Sequence, residues 1–81
     1  MNGINKSNWI SVNDRLPELG EYVFIVIEMK YEHETEIETV VDIGWLNEDG
    51  DFGMINDWNE GQQYFQITHW QPIVLPKKEK E

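Results

Sequence analysis

The sequence lacks cysteine, any long apolar run and a balanced supply of positive charge. Without cysteine there is no disulfide framework, no thiolate nucleophile and no thiolate metal ligand. The longest apolar stretch, residues 22–27, is far shorter than the ~20 residues that a membrane span requires, and no basic region followed by an apolar run begins the chain. These absences predict a soluble protein of the cytoplasm that does not enter a membrane.

The sequence has a large excess of acidic residues. Sixteen Asp and Glu stand against six Lys and Arg, which gives a formal net charge of -10. Most of such a surface would repel a nucleic-acid backbone, so we do not expect direct nucleic-acid binding. The charge has two interpretations: it keeps a small protein dispersed in solution, or it attracts a partner protein with a basic surface.

The length of 81 residues indicates one domain. A domain of this size buries only about 60–65% of the surface that its unfolded chain exposes, so its core needs large side chains. Four Trp, three Tyr and three Phe meet that need. Self-association would bury more surface and is compatible with the sequence. We predict a domain over residues 9–76, a mobile N-terminal segment over 1–8 and a charged mobile tail over 77–81.

Alternating patterns predict strands. Residues 9–12 alternate, and residues 21–31 are apolar on both faces, as in a central strand. In the run 36–47 the odd positions form one apolar row, which should face the core; its members are Ile37, Val41, Ile43 and Trp45. Asp49-Gly50 is a strong hairpin signal, so a short strand at 52–55 should pair back. A last strand over 64–74 contains Pro72, which favours an edge position.

Together these elements predict a mainly β fold. We expect a small twisted antiparallel sheet, or a partial barrel, of four to five strands. The first and last strands should close near Trp9 and Trp70. A short helical turn near residues 57–60 is the most helix that the pattern allows.

Two sequence motifs at the ends of the domain resemble those of a known protein family. They read W-I-S-V-x-x-R-L-P at residues 9–17 and T-H-W-x-P at 68–72, with E-Y-V at 21–23 between them. With these motifs the chain resembles the domain of unknown function family 551 of phages and prophages. The resemblance implies a short accessory protein inside a bacterial host and brings no catalytic residues with it. The residues that we assign to the structural framework are Trp9, Arg15, Pro17, Trp45, His69, Trp70 and Pro72.

One combination of residue types is that of a hydrolytic triad. Ser11, Asp14 and His69 could meet if the two ends of the domain meet, but no nucleophile elbow surrounds the serine. A half-buried structural role for His69, on the same strand face as Phe65 and Ile67, is the favoured interpretation. No metal site and no cofactor is predicted, because an extended strand would place His33 and its acidic neighbours on opposite sides.

An acidic run is the most distinctive feature of the middle of the chain. If residues 32–38 are extended, four carboxylates stand on one face about 6.6 Å apart, at Glu32, Glu34, Glu36 and Glu38. Such a row could bind a host or phage protein with a basic surface, or occupy a nucleic-acid site as a mimic. The favoured interpretation of the run itself is a solvated hairpin tip between the two long strands, because a charge run usually marks a solvated face. The sequence therefore favours a non-catalytic protein-binding module, with a nucleic-acid mimic and a small hydrolase as alternatives.

Overall fold

The computed structural model describes residues 8–56, 58 and 61–74. Five strands lie in this part of the chain: β1 (Ile10–Ser11), β2 (Val23–Tyr31), β3 (Glu38–Leu46), β4 (Phe52–Met54) and β5 (Gln62–Pro72). The mobile ends predicted from the sequence fall almost wholly outside the described residues. Of the expected helical turn, only Trp58 is described.

The strands form one antiparallel sheet in the order β1-β5-β2-β3-β4. The mainly β prediction is confirmed, and the described part of the chain contains no helix. The first and last strands do pair, with Ile10 opposite Trp70. The Asp49-Gly50 hairpin is also present: Gly50 adopts a φ of 92° and its N–H donates to the carbonyl oxygen of Asn47 at 3.0 Å.

The core lies on one side of the sheet, which we call the inner face. It is defined by the alternate β2 residues Val23, Ile25, Ile27 and Met29, all 0% exposed. Trp70 of β5, opposite Ile25, is 4% exposed and completes the buried cluster. The intervening β2 residues, such as Phe24 and Val26, point to the outer face and are only half-buried.

Residues 12–20 tie the two halves of the sheet together. At one end, Val12 N–H donates to the carbonyl oxygen of Thr68 in β5. At the other, Gly20 N–H donates to the carbonyl oxygen of Leu46 in β3, where Leu19 forms an isolated bridge. Gly20 has a φ of 78°, a conformation that other residues rarely adopt, so the turn into β2 requires glycine.

The expected orientation of β3 is wrong. The register places Asp42 opposite Ile25 and Gly44 opposite Val23, so the even row faces inward. The more apolar odd row, with Ile43 and Trp45, faces outward. Gly44 is needed on the inner row because an added Cβ would lie 2.5 Å from the carbonyl oxygen of Gly53 and 2.8 Å from the side chain of Ile25.

Two expectations for β5 also need correction. The strand lies between β1 and β2 rather than at an edge, and it accommodates Pro72 because the β1 pairing stops at Trp70. The register with β2 shifts between Val26 and Ile27, which leaves Thr68 as an extra residue. His69 therefore lies opposite Val26 on the outer face, not on the face of Phe65 and Ile67.

Candidate binding surfaces

Trp70 joins the two terminal motifs. Its indole N–H donates to the carbonyl oxygen of Arg15 at 2.9 Å, and the guanidinium carbon of Arg15 lies 5.8 Å from the centroid of the ring. Pro17, two residues further on, is buried. These contacts hold residues 12–20 against the inner face and give the framework assignment of Arg15, Pro17 and Trp70 a physical basis.

The other framework residues have separate surroundings. Trp9 is half-buried just before β1. Trp45 lies on the outer face, where it stacks on Tyr22 with ring centroids 5.3 Å apart and an interplanar angle of 22°. The ring also covers Gly53, since a Cβ added there would lie 2.5 Å from it.

Ser11 and His69 are brought together, but not as a catalytic pair. They are direct cross-strand partners of β1 and β5. The Ser11 hydroxyl oxygen accepts a hydrogen bond from Asn13 N–H at 3.1 Å, while His69 Nδ1 shares a hydrogen bond with the Thr68 hydroxyl at 2.9 Å. Asp14 contacts Ser11 through its backbone N–H. Within the described residues, no hydrogen bond links the three side chains, so the geometry lacks what defines a triad.

A buried carboxylate organises the segment after β4. Asp42 is 6% exposed on the inner row of β3. Its oxygens accept hydrogen bonds from Trp58 Nε1 at 2.8 Å, from Asn56 Nδ2 at 2.9 Å, from the backbone N–H of Asn56 at 3.3 Å and from that of Ile43 at 2.7 Å. Such bonds satisfy a buried charge and fix its donors in place. Asp42 thereby anchors Asn56 and Trp58 over the core.

A cleft of about 800 Å³, lined by both apolar and polar residues, opens on the inner side between β4 and β5. Its apolar lining consists of Val12, Leu16, Phe52, Met54, Ile55, Trp58, Phe65 and Ile67. The strands that border it are separated in the sheet by β2 and β3, so the sheet curves toward its inner face. Leu16 and Ile55 are 49% and 58% exposed, and the cleft therefore presents apolar surface to solvent.

Carboxylates lie in and beside this cleft. Asp51 lines it, and Asp49 precedes Asp51 in the same turn, where its Oδ1 accepts the N–H of Asp51 at 3.1 Å. Asp14 lies on the opposite side, between the lining residues Val12 and Leu16. All three acids are exposed. An occupant of the cleft would therefore contact Asp51, whereas Asp14 and Asp49 are not lining residues and would act only from nearby.

Few cations oppose these acids. The described residues contain two Lys and Arg side chains, Arg15 and Lys30. Arg15 covers the Trp70 ring, and Lys30 Nζ donates to Gln63 Oε1 at 2.7 Å. The acidic surface is thus largely uncompensated in this part of the molecule.

The predicted row of four glutamates does not form. Residues 32–37 are a hairpin loop rather than a strand, and of the four only Glu38 belongs to β3. A turn begins where Glu34 N–H donates to the carbonyl oxygen of Tyr31 at 3.0 Å. Glu32, Glu34 and Glu36 therefore do not share one face of a strand, and the 6.6 Å spacing is wrong. Hairpin loops are favourable places for acids because they are solvated on all sides.

The outer face carries a second apolar surface, the outer patch. It consists of Tyr22, Phe24, Val26, Val41, Ile43 and Trp45. Tyr22 and Val41 are 60% and 42% exposed, and no described segment covers them. Near the patch, Glu28 and Lys30 follow Val26 on the same face of β2. The outer patch therefore resembles the cleft in apolar character but not in its charged border.

Other kinds of site find little support in the described residues. There, no three acidic or histidine side chains converge as metal ligands. No helix in the same residues has the length and apolar content of a membrane span.

The fold of the described residues defines the class of protein: a small, mainly β domain built on one open antiparallel sheet. The model of a family described as "Protein of unknown function (DUF551)" matches residues 8–77. The chain belongs to this family. Neither a curated protein nor a solved structure matches it.

Sequence reasoning missed Asp42 and the cleft. An aspartate within the apolar run 40–46 was a usable signal, because a charge at an inward position of a strand needs donors nearby. Its donors, Asn56 and Trp58, follow β4 and are separated from it by a hairpin. The pattern of β3 alone therefore could not identify them.

Proposed function

We propose that this protein is a non-catalytic binding module that captures a partner protein with a basic surface. The observation that carries the proposal is the cleft, which combines apolar lining residues with the carboxylate of Asp51. Apolar lining provides affinity through buried area, while the surrounding charge steers a cationic partner and rejects an anionic one. The resemblance of the terminal motifs supports a role as an accessory protein of a phage or prophage.

The net charge of -10 assists the first encounter. A surface with one dominant sign raises the association rate of an oppositely charged partner, and salt reduces this effect. The hairpin acids Glu32, Glu34, Glu36 and Glu38 contribute to this field without lying at the cleft. Their role in the proposal is steering rather than contact.

The alternatives have weaker support. A nucleic-acid mimic depended on regularly spaced glutamates, which the hairpin loop does not provide. A hydrolase depended on Ser11 and His69, which are hydrogen-bonded to Asn13 and Thr68 and do not line the cleft.

Selection from a library of random peptides tests the proposal. We expect the selected peptides to combine apolar residues with Lys or Arg and to lose affinity as salt is added. In the variant Asp14→Asn/Asp49→Asn/Asp51→Asn, affinity at low salt should fall more than tenfold. Peptides without basic residues, or binding that salt does not change, would contradict the proposal.

A control variant separates contact from general charge. Replacing Glu32, Glu34, Glu36 and Glu38 by Gln removes one more negative charge than the cleft variant does. We nevertheless expect the smaller loss, a few-fold, confined to the association rate, because these acids act only at a distance. An equal or larger loss of affinity would indicate that the hairpin, and not the cleft, is the binding surface.

A further inference from the structure

The outward backbone groups of β4 identify how a partner could bind. Ile55 N–H donates to the carbonyl oxygen of Ile43, and Asn47 N–H donates to that of Asp51. Hydrogen-bonded pairs alternate along an antiparallel ladder, so Gly53 and Trp45 also exchange hydrogen bonds. The N–H and C=O groups of Phe52 and Met54 must then point away from β3. β4 is the last strand of the described sheet, so these groups lie at its open edge.

The side chains at this edge point into the cleft. Phe52 and Met54 lie opposite Leu46 and Gly44, both on the inner row of β3, and both line the cleft. A segment paired with β4 would continue the sheet, and every second side chain of it would enter the cleft. The intervening side chains would point outward.

A second strand edge lies across the cleft. On β5, Gln66 and Tyr64 lie opposite Glu28 and Lys30 of β2. Glu28 and Lys30 belong to the alternate β2 residues whose backbone N–H and C=O groups point toward β5. Phe65, between Gln66 and Tyr64, therefore directs its N–H and C=O away from β2. β1 ends at Ser11, and its ladder reaches β5 no further than Thr68. The cleft is thus a gap between two strand edges.

We propose that the cleft binds an extended basic segment of the partner protein as an added strand on β4. The segment has apolar side chains at alternate positions, for the cleft, and Lys or Arg at the positions between, for Asp49 and Asp51 in the turn before β4. The main-chain hydrogen bonds to Phe52 and Met54 provide affinity, and the cleft provides the sequence preference. The inference rests on the proposed function and specifies its binding mode.

Amide hydrogen exchange tests the added strand directly. The probe is a synthetic peptide in which lysine alternates with valine and phenylalanine, and the control is a peptide of the same composition in which the lysines are clustered. On binding, the exchange of Phe52 and Met54 N–H should slow at least tenfold. Gly53 and Ile55 N–H, already bonded to β3, should change little. Protection at Phe65 instead would overturn the assignment to β4.

A matched pair of substitutions separates the backbone from the side chain. Met54→Ala and Met54→Pro both remove the side chain, but only proline removes the outward N–H. Proline is tolerated on an edge strand where the N–H faces solvent, and Gly53 before it accepts the accompanying backbone restriction. We expect Met54→Pro to bind the alternating peptide at least tenfold more weakly than Met54→Ala.

The outcomes distinguish this inference from the function on which it rests. If the alternating peptide binds, but Met54→Pro matches Met54→Ala and no edge amide is protected, strand addition is wrong and the binding module stands. If no basic peptide binds at all, the proposed function itself fails. Melting curves show whether Met54→Pro is folded, and the exchange measurement on the unsubstituted protein decides the question if it is not.

Discussion

The inner and outer faces of the sheet are both apolar around β2 and β3, but the described chain covers only one of them. On the inner face, Ile25 and Ile27 are 0% exposed. On the outer face, Val41 is 42% exposed and Tyr22 is 60% exposed. The difference arises from residues outside the strands, because Val12 and Trp58 pack against the buried cluster of the inner face.

The comparison shows that an apolar residue pattern does not by itself determine whether a face of this sheet is buried. Trp70 with Arg15, and Asp42 with Asn56 and Trp58, hold the covering segments in place through hydrogen bonds. Substitutions at these contacts and on the two faces therefore test whether the inner face contributes more to stability than the outer face.

The largest effect is expected for Trp70→Ala. It removes a side chain that is 4% exposed together with its hydrogen bond to Arg15. Large-to-small changes of this kind cost about 3–5 kcal/mol, which is comparable to the whole stability of a small domain. The measurement is the free energy of unfolding from urea titration.

Trp45→Ala is the control for that substitution. Its ring stacks on Tyr22 at the half-exposed outer face, so the loss should be about 1 kcal/mol. An unchanged melting curve for Trp70→Ala, or an equal loss in the two variants, would contradict the assignment of the core to the inner face.

Two aliphatic residues make the next comparison. Ile27→Ala should destabilise the protein by about 2–5 kcal/mol because it opens a cavity in the inner core. Val41→Ala, on the outer face, should cost under about 1 kcal/mol, since much of its side chain is already in water. Similar losses would mean that the outer patch is covered in solution, and sedimentation would then identify a second copy as the cover.

A smaller loss is expected for Asp42→Ala. The substitution leaves the N–H groups of Trp58 and Asn56 without their acceptor, at a cost of about 1–3 kcal/mol. The indole Nε1–H resonance of Trp58 should also shift, because it loses its bond to Asp42 Oδ2. Asp51→Ala, at an exposed position, should leave stability within about 0.5 kcal/mol of the original. Equal stability in the two variants would show that Asp42 does not anchor this segment.

The smallest effect is expected for the quadruple replacement of Glu32, Glu34, Glu36 and Glu38 by Gln. These side chains lie in or beside a hairpin loop, where charges contribute little to stability. The melting temperature should stay unchanged within error. A large decrease would show that the loop acids stabilise the fold in a way that their described contacts do not explain.

The sequence predicted the features that depend on local chemistry. The Asp49-Gly50 hairpin, the strand β2 and the pairing of the two ends could be read from turn residues and alternation. The inward face of β3 could not, because Asp42 becomes acceptable inside only when Asn56 and Trp58 reach it. His69 was misplaced for a related reason: one extra residue at Thr68 reverses the alternation of β5, and nothing in the local pattern marks that residue.

The candidate site was harder to predict than the fold. Its lining comes from β4, β5 and the segment after β1, which meet only because the sheet curves. The acidic run drew attention to residues 32–38, where charge is dense, whereas the cleft acids Asp14 and Asp51 are far apart in the sequence. Charge density along a chain is a poor guide to where charges surround an apolar surface.

Backbone and methyl chemical shifts during titration with the alternating lysine peptide show directly whether the cleft is the binding surface. If the cleft is the binding surface, the largest shifts should cluster at Val12, Leu16, Phe52, Met54 and Phe65, and Val26 and Val41 of the outer patch should stay unchanged. Shifts centred on the outer patch, or on the hairpin loop at 32–37, would show that the cleft is not the binding surface.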